Sequence, residues 1–489
     1  MLTKAMIEQM AVNDSALANG KKLADKGCFA NLKKTEDSTV YWGECAGSGK
    51  NPYRTSVDMS DEKKLPVCRC SCPSRQFPCK HGLALMLLIE RGETFEVDAL
   101  PEEIAEKRAK AEERETKKAE KAAKPKKQTA SSIKAAEKKT AKQLEGLEMA
   151  RKMTDELMTS GLATLSGTSI QKFRDLATEL YNYGLPGPQL IMNRIAESMS
   201  EIQFRGERGE SADAKMLYSQ TLRYLIKLNT IIKKGCAFLS KKIEERTFDD
   251  NNDILFEELG GIWKLEELEK IQSFRDNARL VELSFEVVED RVKDEFQYKS
   301  HCIDMDTKEI CANISMVPSK VWSKIKIPDS CFEMLLIPRV YKYPGTSRVR
   351  WDSFTTRKLT DEDRLALISC AEESFESAVK KFKNYIKNTL HEKSMMMLLP
   401  VASIGMAGVN LLIEDAAGTR IRVADAPLES GTTTNAYCTT SFIENAKIIP
   451  VDMKNVGAVF GKMFYDEQLG EIRFHIHSLI TKEYVLRLM

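Results

Sequence analysis

The sequence predicts an α+β protein, and three observations along its 489 residues lead to that fold class. Apolar residues recur at helical spacing through the middle of the chain. From about Leu280 the pattern changes to an alternation of apolar and polar residues, which is typical of half-buried strands. Near the N-terminus, two strand-like runs precede a cluster of cysteines. We therefore expect four consecutive regions, at 1–98, 99–142, 143–280 and 281–489.

The N-terminal region is predicted to be a small, compact α+β module. Met1–Lys26 has the apolar spacing of a helix, and strand-like runs follow around Thr39–Cys45 and Tyr53–Met59. Gly82–Ile89 is a continuous apolar run, which we expect to form a buried helix. Gly47–Lys50 lacks the other residues that a phosphate-binding P-loop requires, so we interpret it as a turn between strands.

The second region, 99–142, is predicted to be a charged linker rich in Lys, Ala and Glu, with some helix. From Pro101 to Lys142 it contains 14 Lys and Arg against 8 Glu, a net charge of +6, and almost no large apolar residues. A segment of this composition is typical of a solvated connector. The alternative is a basic arm that contacts nucleic acid.

The third region, 143–280, is predicted to be mostly helical. Helical spacing of apolar residues continues through stretches such as Gln189–Gln203 and Ser211–Lys234. Gly184–Pro188 contains two glycines and two prolines and predicts a break between helices.

The fourth region, 281–489, is predicted to combine helices with an antiparallel sheet. Val281–Val287 alternates apolar and polar residues, and similar runs recur further along the chain. Asp415–Gly418 and Asp466–Gly470 have the composition of hairpin connections between such runs. One helical segment, Asp361–His391, is expected to interrupt the strands.

The cysteine cluster carries most of the chemical information. Four cysteines lie within twelve residues, and the charged N-terminus does not predict a secretory signal, a combination that more often binds metal than forms disulfides. Cys70-x-Cys72 and Cys79-x-His81 are two closely spaced pairs, and a one-residue spacer in an extended chain places two side chains on one face. Tetrahedral Zn²⁺ needs four such nitrogen or sulfur donors. Cys68 leaves an alternative open, because it could pair with Cys70 in place of Cys72.

This pattern resembles the SWIM zinc finger family, whose signature is C-x-C, a variable loop and C-x-H. The run Cys72–Arg75, followed by Phe77–His81 and an apolar helix, is similar to bacterial members of that family. The family pattern has the second cysteine immediately before Pro-Ser, which favours Cys70 and Cys72 as the first pair. The resemblance implies one structural Zn²⁺ bound by Cys70, Cys72, Cys79 and His81.

From the resemblance we expect a zinc-binding protein without enzymatic activity, whose finger binds DNA or another protein. The net charge of +2 excludes nucleic-acid binding by the whole surface, so any basic surface is local. Basic residues surround the cluster at Lys63, Lys64, Arg69, Arg75 and Lys80. An enzyme with an unrecognised catalytic region in 143–489, targeted by the finger, is the alternative.

Other histidines give weaker signals. His475 and His477 share one face of a probable strand, but no cysteine or carboxylate stands at a defined spacing from them, and His301-Cys302 is weaker still. No run reaches 18 consecutive apolar residues, and charges interrupt the N-terminus. We therefore expect a cytoplasmic protein without a membrane segment, and infer no small-molecule substrate.

Overall fold

The chain divides into two compact units, which the computed structural model describes in part. The first unit consists of Met1–Lys127, Lys320–Asp329 and Asp352–Thr355, and the second of Gln128–Ser319, Ser330–Trp351 and Thr356–Met489. The described residues are 2–12, 14–46, 51–60, 65–74, 77–102, 104–106, 109, 130–161, 167–207, 214–248, 250–324, 329–429, 431–434, 438–445 and 453–489. Within these ranges, no helix is long and apolar enough to cross a membrane.

The first unit packs helices on a five-stranded sheet. Its helices are α1 (Lys4–Met10), α2 (Asp14–Asp25) and α3 (Lys80–Glu90), and its strands are β1 (Phe29–Lys34), β2 (Val40–Cys45), β3 (Tyr53–Asp58), β4 (Val67–Cys70) and β5 (Glu96–Val97). The strand order is β4-β3-β2-β1-β5, with β5 parallel to β1 and the other pairs antiparallel. The expected buried helix is α3, which contributes Leu83, Leu85 and Met86 to the core.

The N-terminal helix predicted over Met1–Lys26 is two helices in the structure. Thr3 caps the start of α1, where its side chain accepts a hydrogen bond from the backbone N–H of Met6. Ala11 ends α1 because its backbone is extended, with φ −66° and ψ 130°. The apolar spacing continues through this break, so periodicity alone did not reveal it.

Six helices precede the strands in the described residues of the second unit; five of them share one core, whereas Leu265 and Leu268 of the last pack with Trp263 and Tyr341. They are α4 (Ala130–Ser160), α5 (Gly167–Asn182), α6 (Pro186–Glu207), α7 (Ala214–Glu245), α8 (Ile254–Glu258) and α9 (Leu265–Lys270). Leu147, Leu180 and Leu228 are fully buried in this core. The residues of the predicted break, Pro186 and Pro188, lie in the first turn of α6, where a missing backbone N–H costs nothing.

The boundary predicted at residue 142 lies inside α4. Residues 130–142 belong to this 31-residue helix, in which Thr140 is already buried. Its hydroxyl donates to the Ala136 carbonyl, a bond that stays within the helix. The Lys- and Ala-rich composition of 130–142 is compatible with helix as well as with linker, because both residue types favour helix. Residues 110–129 of the predicted linker lie outside the described residues.

Strands and helices form the rest of the second unit. Its strands are β6 (Phe274–Asp290), β7 (Glu295–Asp304), β8 (Ile310–Pro318), β9 (Met334–Lys342), β10 (Arg348–Arg350), β11 (Thr355–Arg357), β12 (Ser394–Pro400), β13 (Ser403–Ala407), β14 (Asn410–Glu414), β15 (Arg420–Val423), β16 (Thr432–Thr434), β17 (Val456–Asp466), β18 (Glu471–Thr481) and β19 (Val485–Arg487). Its helices are α10 (Asp361–Ile368), α11 (Phe375–Ile386) and α12 (Thr439–Glu444). The predicted α+β class is confirmed.

These strands make two sheets. In one, β6 pairs with both β7 and β9, so the path β9-β10-β8-β7-β6 closes on itself. The other has the order β12-β17-β18-β15-β14-β13, with β19 beside β18. The two predicted hairpin connections, 415–418 and 466–470, join β14 to β15 and β17 to β18 as antiparallel pairs.

The helical segment predicted over Asp361–His391 is also two helices, α10 and α11. Ser374 separates them, since its extended backbone (φ −159°, ψ 167°) cannot continue a helix. Its side chain accepts from the backbone N–H of Ser377 and caps α11. A serine inside an amphipathic pattern is compatible with either a helix interior or a cap, and the sequence did not distinguish these.

Strand β6 changes the face that it buries part-way along its length. The register with β7 shifts between Glu282 and Ser284, so one extra residue flips the phase of the strand. Beyond the shift, Ser284 and Glu286 are 0% and 4% exposed, whereas the apolar Phe285 and Val287 are only half-buried. The polar face of β6 is therefore turned into the protein.

Candidate metal centre

The four predicted ligands come from three adjoining pieces of the first unit. Cys70 is the last residue of the edge strand β4, and Cys72 lies in the bend that follows. Cys79 is the N-cap of α3, and His81 lies in the first turn of that helix. The chain therefore leaves the sheet with one pair of ligands and enters the helix with the other.

These four side chains converge on one point. One ligand atom from each of Cys70, Cys72, Cys79 and His81 lies within 4.8 Å of all the others. Nδ1 of His81 is 3.8 Å from the Sγ atoms of both Cys70 and Cys79. Tetrahedral zinc, with bonds of about 2.0–2.3 Å, separates its nitrogen and sulfur ligands by roughly 3.5–3.8 Å. The cluster therefore has the donor types and the spacing that Zn²⁺ requires.

Three neighbours that sequence reasoning did not single out position the ligands. Thr55 lies opposite Cys70 in the β3–β4 pair, with Oγ1 3.2 Å from Cys70 Sγ. Ser71 lies between the first two ligands, and its position is fixed because its Oγ accepts a hydrogen bond from the Arg54 N–H at 2.9 Å. The ring of Tyr53 packs against His81, with ring centroids 5.0 Å apart. Tyr53 and Thr55 are two residues apart on β3, so the sequence indicates that they share a strand face. It does not indicate that this face contacts the metal ligands.

Cys68 is not part of the cluster. It shares a strand face with Cys70, but the two-residue step along β4 moves its side chain about 6.6–6.8 Å along the sheet. There its sulfur lies against Gly82, where a Cβ atom would come 2.0 Å from Cys68 Sγ. Burial raises the pKa of the Cys68 thiol well above its ordinary value, as expected for a side chain that packs under a helix. The geometry therefore favours Cys70 and Cys72 as the first pair.

The comparison with known families identifies the site. The family model of the SWIM zinc finger matches residues 53–90, which span β3, β4 and α3. Residues 53–90 are a SWIM zinc finger. The SWIM finger holds one structural zinc ion, for which its Cys₃His cluster supplies four protein ligands. No curated protein and no solved structure matched the chain.

Other predicted features lie around or outside the SWIM finger. Lys63, Lys64 and Arg75 of the basic rim fall outside the described residues, as does the turn 47–50. Arg69 Nη1 is 3.8 Å from Asp58, and Lys80 is exposed. In the second unit His475 and His477 have ring centroids 4.7 Å apart. Within the described ranges they join no third ligand-type side chain at metal-binding spacing.

Zinc binding to the SWIM finger is expected to weaken as the pH falls from about 8 to about 6, because protons compete with zinc for the thiolates. Without metal, the Cys79 thiol donates to Cys70, which raises the pKa of Cys79 to about 11 and lowers that of Cys70. Zinc must displace the protons that the thiols hold in this range. A chelator competition on the full chain at several pH values measures the affinity, and a pH-independent value would contradict thiolate ligation.

Gly82→Ala is expected to destabilise the first unit by about 1–3 kcal/mol through overpacking against Cys68. An alanine inside a helix otherwise stabilises it by up to about 1 kcal/mol relative to glycine, so the sign is diagnostic. Chemical denaturation of the zinc-loaded chain measures the effect. When Cys68→Ala is also present, Gly82→Ala should cost less unfolding free energy. An equal cost with and without Cys68→Ala would mean that the clash involves another residue.

Proposed function

We propose that the SWIM finger is a docking module whose partner is another protein. The observation that carries this proposal is the exposure of Phe77, which lies between the two ligand pairs and is 56% exposed. Val67, at the start of the edge strand β4, is 45% exposed. Exposed aromatic side chains are typical anchors of protein interfaces, and Phe77 lies two residues before the zinc ligand Cys79.

The packing of α3 also supports a protein partner. In many DNA-binding fingers a helix enters the major groove and contacts base edges with exposed side chains. The residues from His81 to Leu88 are all buried in the first unit. Because α3 is a core helix, a partner of the SWIM finger would contact its loops and the edge strand β4 instead. An unpaired strand edge is itself a common site for peptide addition.

The net charge of the finger also favours a protein partner over nucleic acid. Residues 53–90 contain six Lys and Arg against four Asp and Glu, a net of +2. Zn²⁺ with three thiolates contributes −1, so the zinc-loaded finger has a formal charge of about +1. Nucleic-acid-binding domains are usually much more basic.

Nucleic acid is the second candidate partner, and one observation supports it. The segment from Pro101 to Lys142 has a net charge of +6. Such a segment could neutralise phosphates next to the finger, and its affinity would then depend steeply on salt.

The experiment compares the full chain with two variants, Phe77→Ser and Val97→Ser. Val97 is the matched control, since it is 62% exposed on β5, at the opposite edge of the same sheet. Each chain is crosslinked in the native cell, purified and analysed for bound protein and nucleic acid. We expect one protein to be recovered with the wild type and Val97→Ser, and to be lost with Phe77→Ser.

A duplex DNA titration at about 50 mM and 200 mM salt tests the alternative that the partner is nucleic acid. Tight binding that falls by about 10³-fold or more between these salt concentrations, and that is unchanged in Phe77→Ser, would favour nucleic acid over protein. Equal recovery of the same proteins with all three chains would also contradict docking through Phe77.

The proposal also holds that the finger itself does no chemistry, since four protein ligands leave zinc no open position for water. An enzyme with its catalytic region in residues 143–489 is the alternative. It draws support from a cleft in the second unit lined by Glu286, Lys299 and His301. Such a cleft is compatible with binding alone, and substrate turnover would have to be measured.

A further inference from the structure

The second unit contains a large cleft with a charged wall, distinct from the zinc finger. Its volume is about 1330 Å³. One wall is formed by side chains of the strands β6, β7 and β8. The other includes Lys462 on β17, Met396 and Leu398 on β12, and residues of α11. We propose that this cleft binds an anionic small molecule, with Lys299 and Lys462 holding its negative charge.

Strand register places the charged groups on the cleft wall. Glu286 on β6 lies directly opposite Lys299 on β7, and Ser284 lies opposite His301 two residues away. Alternation along β7 therefore puts Lys299 and His301 on the same face. Because the extra residue between Glu282 and Ser284 flips β6, Glu286 is on this face as well.

The neighbouring strand supplies an apolar floor. Ile310, Ala312, Ile314 and Met316 of β8 line the cleft, and Ile314 lies opposite Lys299 in the β7–β8 pair. Side chains at every second position share one face, so this part of the wall is continuous. A ligand that combines an anionic group with an apolar portion fits such a surface better than a free ion does.

Both lysines are available to a ligand. Lys299 and Lys462 are half-buried on the cleft wall, and the ammonium group of neither forms an ion pair or a hydrogen bond with another described residue. Glu286 is 4% exposed, and the two lysines keep the pKa of its carboxyl below the ordinary value despite its burial. Among Glu286, Lys299 and Lys462, two ammonium groups against one carboxylate leave one positive charge uncompensated. At the reduced dielectric constant of a cleft, such a charge attracts an anion more strongly than in water.

The histidine beside them adds an unsatisfied polar atom. Nδ1 of His301 is buried and has no hydrogen-bond partner among the residues that the structure describes. Burial lowers the pKa of His301 to about 4, so the ring is neutral at physiological pH. A neutral imidazole donates one hydrogen bond and accepts one. In the tautomer with its proton on Nδ1, the ring leaves a buried donor without a partner, which costs about 1–3 kcal/mol, and an anion in the cleft would supply the acceptor.

A metal ion is a poorer occupant of this site. Among the described residues, no three ligand-type side chains converge here as they do in the zinc finger. Two lysines on the wall would also repel a cation. The neighbouring His477 is committed elsewhere, because its Nδ1 pairs with Ser284 Oγ at 2.8 Å.

The test is a calorimetric titration of the full chain with inorganic phosphate at constant ionic strength. We expect the wild type to bind phosphate, and Lys299→Met and Lys462→Met each to weaken binding by about tenfold or more, because each removes one charged contact. Lys342→Met is the matched control. Lys342 lines the same cleft but is paired with Glu309 at 2.7 Å, so its loss should leave the affinity unchanged.

Glu286→Gln is expected to change the phosphate affinity in the opposite direction to the lysine variants. Removing the carboxylate that lies opposite Lys299 should tighten phosphate binding, whereas a purely structural role of the two lysines predicts no tightening. Lys299→Arg keeps the charge and should retain binding if Lys299→Met fails to fold. Absence of binding by the wild type, or equal loss in Lys342→Met, would overturn the proposal.

Discussion

Cys79→Ser is expected to remove zinc from the protein and to unfold the N-terminal module, while the second unit remains folded. Cys79 is 1% exposed, caps α3 and lies 3.8 Å from His81 Nδ1, so its loss leaves three ligands and breaks the link between helix and sheet. Structural zinc in finger peptides contributes on the order of 10–16 kcal/mol of apparent binding free energy. That is more than a small α+β core supplies by itself.

Two measurements check this prediction on the full chain. The metal content of the purified protein should be about one zinc per chain in the wild type and close to none in Cys79→Ser and His81→Ala. Amide hydrogen exchange should show lost protection in β2, β3 and α3 but unchanged protection in β17 and β18. If Cys79→Ser retained its zinc, the proposed coordination would be wrong.

Two cysteines of the same unit are matched controls for this experiment. Cys28 is half-buried and Cys68 packs against Gly82, and neither belongs to the four-residue cluster. Cys28→Ser and Cys68→Ser should therefore keep the zinc, although the second should lose some stability. If Cys68→Ser lost zinc while Cys72→Ser kept it, the ligand assignment would have to be reversed.

Arg487→Met is expected to destabilise the second unit by about 3–5 kcal/mol, because it leaves Glu282 as a buried carboxylate without its cation. The two side chains form an ion pair in which each is 4% exposed. Glu282 also accepts hydrogen bonds from the Ser330 hydroxyl at 3.0 Å and the Cys331 N–H at 2.9 Å. The Arg487 guanidinium lies 3.6 Å from the centroid of the Phe332 ring, so its loss also removes this contact.

Arg339→Met is the matched control for this effect. Arg339 also pairs with a carboxylate, Asp276 at 2.6 Å, and also lies over an aromatic ring, Phe274 at 4.2 Å. The Arg339 and Asp276 side chains are 40% and 49% exposed, so water replaces the lost partner. Urea denaturation should show a much larger loss of unfolding free energy for Arg487→Met than for Arg339→Met. Similar losses would contradict the argument from burial.

The zinc finger was predictable from the sequence because its ligands are close together in the chain. Cys-x-Cys and Cys-x-His spacings constrain side chains over two residues, and the apolar run after His81 marks a buried helix without any knowledge of long-range contacts. What this reasoning left open was Cys68. The position of Cys68 was decided by the packing of α3 on β4. There Gly82 faces the Cys68 sulfur, and only a residue without a Cβ atom leaves room for it.

The cleft in the second unit was not predictable in the same way. The four residues proposed to contact the anion or its carboxylate neighbour, Glu286, Lys299, His301 and Lys462, are spread over more than 170 positions, and no local spacing relates them. The alternation around Leu283 correctly predicted a strand, but it implied that the polar residues face solvent. One extra residue in the register reversed that, since a shift of one position exchanges the two faces of a strand.

The sequence by itself therefore determined the α+β class, the Cys-x-Cys and Cys-x-His pairs of candidate ligands and the helix that follows them, because each depends on interactions within a few residues. The tertiary structure decided that Cys68 packs instead of binding metal, that 361–391 is two helices, and that a carboxylate and two lysines from different strands share one cleft. Strand register and helix packing fix these features, and both are set by contacts between residues far apart in the chain.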